Sequence, residues 1–187
     1  MFNRKVSAIK SATTHTRDRC VPYPKLRMEK VKIIELIKKA ENLTPKKLEK
    51  DLEPLDGFPD VPNWHKYESE IWEIGEEIRQ IINTKKSLRK DSELTDLIMK
   101  FCLNKNSKRG RQSFILLLGY KHLSKYATQL IEMLNDKFVE GQIIDTVYKM
   151  QAEGFQKEIG AFMLDKHTWI RKMATKYVEK YGTQQRL

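Results

Sequence analysis

The chain has 187 residues, enough for one domain with a hydrophobic core of its own. With only 8 Gly and 6 Pro and little β-branched alternation, the composition favours an all-α protein over a β-rich one. No apolar run approaches the ~20 residues of a membrane span, so we expect a soluble, cytoplasmic protein with no membrane partner.

The net charge of +11 is unevenly distributed along the chain. Residues 1–39 carry 11 basic and 3 acidic side chains, residues 40–84 carry 5 and 11, residues 85–126 carry 11 and 3, and residues 127–187 carry 9 and 8. Such an alternation indicates a polarised surface and an anionic partner, of which nucleic acid is the commonest. The alternative, that Lys-rich helices only solvate their outer faces, stays open.

Residues 1–28 are polar and basic and lack helical periodicity. Val21-Pro22-Tyr23-Pro24 places two prolines where a helix is not expected to continue. The segment has no apolar core of a secretory signal. We interpret it as a flexible basic arm that could lie along phosphates, with an organelle transit peptide as the weaker alternative.

Two helices are predicted directly after the arm. Apolar residues at helical spacing run from Met28 to about Glu41. Thr44 followed by Pro45 is a typical helix start and predicts a short acidic helix that reaches Leu52. Whether residues 29–83 form further repeats or a cap on the repeats that follow is left open by the sequence.

A proline-rich loop and a long helix complete this part of the chain. The loop runs from Glu53 to Asn63, and its apolar side chains are expected to pack it down; these are Leu55, Phe58 and Val61. An amphipathic helix is predicted from Trp64 to about Asn83. Its glutamates have no histidine at ligand spacing, so a solvated acidic face is the preferred interpretation; they are Glu68, Glu70, Glu73, Glu76 and Glu77.

The stretch from Ser92 to Gly182 predicts three similar helical hairpins with a period of about 31 residues. The positions in register are Arg109, Glu140 and Arg171; Leu116, Val147 and Val178; and Cys102, Met133 and Leu164. One such hairpin cannot bury its apolar face alone, which favours a stacked α-solenoid. A plain helical bundle is the alternative.

The turn of the first hairpin is the densest cationic cluster. Residues 104–111, with the sequence NKNSKRGR, carry four cations where a helix begins. Backbone N–H groups at a helix start, together with Lys and Arg, suit a phosphate oxygen. The turns of a solenoid line up along one edge, so Lys137, Lys166, Arg171 and Lys172 would extend this row. Solvated turn lysines are the alternative.

No motif in the sequence predicts a metal site, a cofactor or a catalytic centre. Cys20 and Cys102 lie far apart and are expected to be reduced thiols. No histidine has a Cys or His partner at metal spacing; the four are His15, His65, His122 and His167. Phosphate-binding glycine loops and nucleophile elbows are absent. Catalysis by a single buried carboxylate stays open, with Glu140, Asp145 and Glu158 as candidates.

Two segments resemble a known family. Residues 109–114 (RGRQSF), which enter an apolar helix, and residues 165–174 (DKHTWIRKMA) are similar to HEAT-like repeats. They are most similar to those of the bacterial alkylpurine DNA glycosylases of the HEAT-like class, which act in DNA alkylation repair. The resemblance covers about residues 92–182. It implies a right-handed solenoid of hairpins with a basic surface that holds duplex DNA by its phosphates.

The resemblance stops at the catalytic motif of that family. The glycosylases carry an aromatic pair followed by a catalytic aspartate at the entrance to a central repeat helix. The matching residues here, Val139-Glu140-Gly141-Gln142, lack both aromatics and have glycine in place of the acid. Trp169 and Lys172 do resemble the aromatic residue and the DNA-contacting cation of the next repeat. The resemblance therefore implies DNA binding without the glycosylase chemistry.

The sequence thus predicts a basic arm, residues 1–28, and a single helical domain, residues 29–187, that binds DNA or other nucleic acid through its phosphates, with a link to DNA repair. The predicted contact residues are Lys105, Lys108, Arg109, Arg111, Trp169, Arg171 and Lys172. One alternative is a protein–protein interaction scaffold for an acidic partner. A second is a divergent DNA glycosylase, although we expect no enzyme activity.

Overall fold

The computed structural model describes residues 24–57 and 61–182, and within them every regular element is a helix. The α-helices are α1 (Pro24–Leu43), α2 (Lys66–Thr84), α3 (Ser92–Cys102), α4 (Gln112–Leu116), α5 (Ala127–Ile131), α6 (Glu140–Met150), α7 (Gln156–Gly160) and α8 (Thr168–Gly182). Short 3-10 helices span Lys86–Lys90, Lys105–Arg111, Lys121–Tyr126 and Ala161–Leu164. The all-α prediction is confirmed. None of the described helices combines the length and the apolar character needed to cross a bilayer.

The first helix begins earlier than predicted. Pro24 is its first residue, which is a position that proline tolerates because the N–H it lacks would have no partner in the helix. Residues 24–28 therefore belong to α1 and not to the basic arm. The rest of the arm, residues 1–23, lies outside the described residues.

The short acidic helix predicted from Thr44 to Leu52 is wrong. Thr44 closes α1 instead of opening a new helix, because its hydroxyl donates to Ala40 O at 2.9 Å and its N–H donates to the same carbonyl at 3.2 Å. The chain from Pro45 to Gly57 contains no helix. A threonine next to a proline is a typical helix start, but here the last free carbonyls of the preceding helix bind it first.

The prediction that apolar side chains anchor the loop from Glu53 to Asn63 is also wrong for the two that the structure describes. Leu55 is 44% exposed and Val61 is 43% exposed, and Phe58 lies outside the described residues. Polar contacts hold the segment just before this loop, where the short helix was predicted. Asn106 Nδ2 donates to Pro45 O at 3.0 Å, and the carbonyl of Lys50 lies 2.8 Å from His65 Nε2.

The helices after residue 90 pack in successive pairs. Helix α3 packs against α4, the segment 121–131 packs against α6, and the segment 156–164 packs against α8. The second helices of these pairs lie in a row, because α4 packs against α6 and α6 against α8. Helix α2 extends the row by packing on α4, while α1 contacts both α2 and α3.

Two hydrogen bonds between neighbouring pairs join residues that are 31 apart in the sequence. Thr95 Oγ1 lies 3.2 Å from the Tyr126 hydroxyl, and Thr146 Oγ1 donates to Ile115 O at 3.3 Å. All four residues in these two hydrogen bonds are buried. At these two places, residues 31 apart in the sequence are in direct contact.

The turns between paired helices share a second feature. In each turn an Asn or Asp side chain accepts a hydrogen bond from the backbone N–H two residues later. The residues concerned are Asn104, Asp136 and Asp165. This short-range bond satisfies the side chain and tightens the reversal of the chain, which is why polar residues recur there.

Close approach of α2 to the first hairpin depends on two glycines. A Cβ atom on Gly75 would overlap the Ser113 side chain, and one on Gly110 would lie 2.8 Å from Glu68 O. Both glycines are buried. Helix α2 therefore packs directly on the turn 104–111, and this contact decides the environment of the predicted phosphate-binding cations.

Candidate nucleic-acid interface

The structure separates the predicted contact residues into two groups. Lys108, Arg109 and Arg111 lie between α2 and the hairpins, where their side chains are buried or partly buried. Trp169, Arg171 and Lys172 line one open groove on α8. Lys105 is exposed on the turn of the first hairpin and stays a prediction.

Lys108 is an internal residue and not a surface cation. Its side chain is 1% exposed, and its Nζ donates to Lys50 O at 2.9 Å and to Asp51 Oδ1 at 3.1 Å. Both partners belong to the loop before α2, more than 50 residues away in the sequence. The sequence of the turn therefore gives no indication of these two partners.

Arg111 is fully buried and links the first two hairpins. Its Nη1 donates to Cys102 O at 3.0 Å, and its Nη2 donates to the carboxylate of Asp136 in the next turn. A guanidinium with these two acceptors and no contact with solvent is not placed to bind a phosphate at the surface. Burial also raises the pKa of the neighbouring Cys102 thiol, although the cation of Arg111 opposes this effect.

Arg109 is partly buried against α2 and the second turn. Its backbone N–H donates to Glu68 Oε2 at 3.3 Å, its guanidinium lies 3.6 Å from the same oxygen, and its Cζ lies 4.8 Å from the ring centre of Phe138. Glu68 itself is fully buried, so the solvated acidic face predicted for α2 is wrong for this residue. A buried carboxylate requires a cation or donors beside it, and Arg109 supplies both.

An open groove of about 680 Å³ remains as a candidate binding site. Its lining residues are Met163, Thr168, Trp169, Arg171, Lys172, Met173, Thr175 and Lys176. The indole of Trp169 is 46% exposed, an unusual exposure for so large an apolar side chain. The groove combines this indole with methionines, hydroxyl groups and cations.

Gly141 at the start of α6 makes room for the indole. A Cβ atom at this position would overlap the six-membered ring of Trp169. Gly141 therefore has a packing role. It lets the Trp169 side chain approach the backbone of α6 closely, while 46% of the residue stays exposed.

The cations of the groove differ in their availability. Arg171 Nη1 donates to Asp165 O at 2.6 Å and to Lys166 O at 2.9 Å, so its guanidinium holds the turn before α8. Lys172 and Lys176 are exposed, and neither makes an ion pair or a hydrogen bond within residues 24–57 and 61–182. Sequence reasoning selected Lys172 but missed Lys176, which lies one helical turn further along α8 and is identifiable from that i, i+4 spacing.

A cluster of titratable side chains adjoins the groove. One ligand-type atom from each of Glu140, Asp165 and His167 lies within 4.8 Å of the others. Burial, followed by the nearby Asp165 carboxylate, raises the pKa of Glu140. No local pattern in the sequence indicates this cluster, because its members come from two neighbouring turns. The cluster consists of two carboxylates and one imidazole, of which the imidazole is exposed, and we assign no metal to it.

Comparisons with known proteins leave the chain without an established relative. It matches no protein-family model, no curated protein and no solved structure. The similarity to HEAT-like repeats therefore stays a prediction from the sequence.

Proposed function

We propose that this chain is a HEAT-like α-solenoid that binds nucleic acid through the groove on α8. The row formed by α2, α4, α6 and α8 supports the solenoid, as do the contacts between residues 31 apart. Helices α1 and α2 would then be the first of four stacked hairpins, since they pack on α3 and α4 in the same way as later pairs pack on each other.

The observation that carries the proposal is an exposed indole beside two ammonium groups that make no ion pair or hydrogen bond within the described part of the chain. Trp169 offers a flat apolar face, and Lys172 and Lys176 lie beside it in the same groove. Nucleic acids present phosphates that attract lysines and flat groups that pack on aromatic rings. The recognition would be electrostatic and tolerant of sequence.

Fluorescence polarisation with a labelled DNA duplex and the matching single strand, at low and moderate salt, tests this proposal. We expect affinity to fall with salt, and the slope to decrease by about 0.9 for each lysine–phosphate contact removed by Lys172→Ala or Lys176→Ala. Lys157→Ala removes an exposed lysine outside the groove and is the matched control. Absence of binding at low salt would refute the proposal and leave an acidic protein as the partner.

The contribution of the indole is tested separately. Stacking is worth about 1–3 kcal/mol per base, so Trp169→Ala should weaken binding roughly fivefold to 150-fold. Gly141→Ala keeps the indole but crowds the surface it rests on, and should weaken binding in the same direction. Full affinity in both variants would show that nucleic acid binds elsewhere on the chain.

A second candidate function is a divergent DNA glycosylase. The observation in its favour is Glu140, a partly buried carboxyl whose pKa is raised mainly by burial, next to the glycine on which Trp169 rests. A carboxyl of this kind can donate or accept a proton nearer neutral pH than a free one. Release of an alkylated base from DNA, lost in Glu140→Gln, would support this activity, and DNA binding without release would argue against it.

A further inference from the structure

The loop of residues 46–57 lies over the hairpin turns without an apolar anchor. Its three leucines, Leu48, Leu52 and Leu55, are all exposed, and the segment contains no helix. Polar contacts hold it: Asp51 Oδ1 accepts from Lys108 at 3.1 Å, Asp51 Oδ2 accepts from Lys137, and the carbonyl of Lys50 accepts from Lys108 at 2.9 Å and lies 2.8 Å from His65 Nε2. A loop held in this way can be displaced by a ligand that replaces its polar contacts.

Beneath this loop, three cations surround one aromatic ring. Lys108 Nζ, Arg109 Cζ and Lys137 Nζ lie 5.5, 4.8 and 5.1 Å from the ring centre of Phe138. The ring attracts each cation but cannot neutralise three of them. Glu68 pairs with Arg109, whose guanidinium lies 3.6 Å from its Oε2, and Asp51 is the anion that accepts from Lys108 and Lys137.

Lys108 is unfavourable for stability in two respects. Its ammonium is buried, and its backbone has φ 43° and ψ −124°, a conformation that suits glycine rather than a residue with a side chain. Backbone strain of this kind costs about 1–3 kcal/mol. Glycine would relieve the strain and remove the buried charge, so the presence of lysine indicates that its ammonium is needed.

We propose that Lys108, Arg109 and Lys137 around Phe138 form a binding site for a phosphate group, and that Asp51 occupies this site until the ligand displaces its loop. A phosphate has more acceptor oxygens than a carboxylate and a larger charge, so it can bind three cations at once. The site shares no residue with the Trp169 groove and does not depend on the function proposed for that groove.

The first test measures binding of inorganic pyrophosphate by titration calorimetry. Asp51→Asn keeps the shape of the side chain but removes the competing charge. If Asp51 leaves the site free in about a tenth of the molecules, the variant should bind pyrophosphate at least about tenfold more tightly than the unmodified chain. Adding Lys137→Ala, which changes an exposed residue, should abolish that gain. Glu53→Gln alters another exposed carboxylate of the same loop and should change nothing.

The second test uses the unmodified chain, so it does not depend on any variant folding. Trypsin can cut after Lys46, Lys47 and Lys50, and pyrophosphate should speed these cuts by releasing the loop. A third test replaces pyrophosphate with a (dT)₁₀ oligonucleotide and uses the Trp169→Ala chain, which lacks the indole of the groove. It shows whether the site takes the phosphates of a nucleic-acid backbone or only free phosphates. The proposal is wrong if Asp51→Asn and Asp51→Asn/Lys137→Ala bind pyrophosphate equally well, or if neither binds it. Asp51 would then only stabilise the folded loop.

Discussion

Replacing Arg111 distinguishes the two interpretations of the turn 104–111. A phosphate-binding arginine could be removed without changing the stability of the fold. In the structure, however, its guanidinium is fully buried and donates to Cys102 O and to the Asp136 carboxylate. Arg111→Met would leave both acceptors without their donor while keeping most of the side-chain volume. We therefore expect a large loss of folding stability.

The size of the loss follows from the environment of the two partners. Removing one member of a buried ion pair costs about 3–5 kcal/mol. Asp136 is 14% exposed and keeps the hydrogen bond from Phe138 N to its Oδ1, so we place the cost at the lower end, about 3 kcal/mol. For a chain of this size that lowers the melting temperature by about 6–12 °C.

Urea denaturation followed by circular dichroism measures this change. Lys105→Met, on an exposed side chain of the same turn, is the matched control and should stay within about 0.5 kcal/mol of the unmodified chain. A double-mutant cycle with Asp136→Asn should show a coupling of about 0.5–3 kcal/mol between the two residues. If Arg111→Met is as stable as the control and binds DNA less well, the reasoning from burial is refuted.

Two further predictions concern helix packing and pH. Gly75→Ala should destabilise the fold by about 1–3 kcal/mol, because its methyl group would overlap a serine of α4. The control is Gly160→Ala, where a Cβ atom would meet nothing closer than 3.8 Å, and its folding stability should stay unchanged or rise by up to about 1 kcal/mol. Equal urea midpoints for the two variants would contradict the packing at Gly75. Hydrogen bonds from lysine, chiefly Lys137, lower the pKa of Asp51. The ionised form therefore stabilises the fold above the unfolded-state pKa of about 3.9, and this contribution is lost as the pH falls through the lower folded-state value. Asp51→Asn should flatten the dependence of the urea midpoint on pH below about pH 4, and an unchanged slope would contradict it.

The positions of the long helices were predictable because the spacing of apolar residues along the chain is a local signal. The predicted helix from Met28 to Glu41 corresponds to α1, and that from Trp64 to Asn83 corresponds to α2. The false helix after Thr44 shows the limit of this reasoning. A helix start depends on which backbone group the threonine binds, and both outcomes fit the same residues.

The candidate site was predictable only in part. Trp169 and Lys172 were selected from the sequence and do line one groove. Lys176 was not predicted. The contact between Gly141 and the indole of Trp169 depends on the packing of α6 against α8, which the sequence does not show. Cationic residues in a turn are common on protein surfaces, so their charge alone cannot tell which of them face solvent.

The sequence by itself determined the helical class of the described residues, the 31-residue spacing that reappears in contacts between hairpins, and the excess of positive charge. Only the tertiary structure decided where that charge is available. Lys108 and Arg111 carry the same formal charge as Lys172, but Asp51 and Asp136 approach them from distant parts of the chain. Burial and charge pairing depend on contacts between residues far apart in sequence, which no local pattern records.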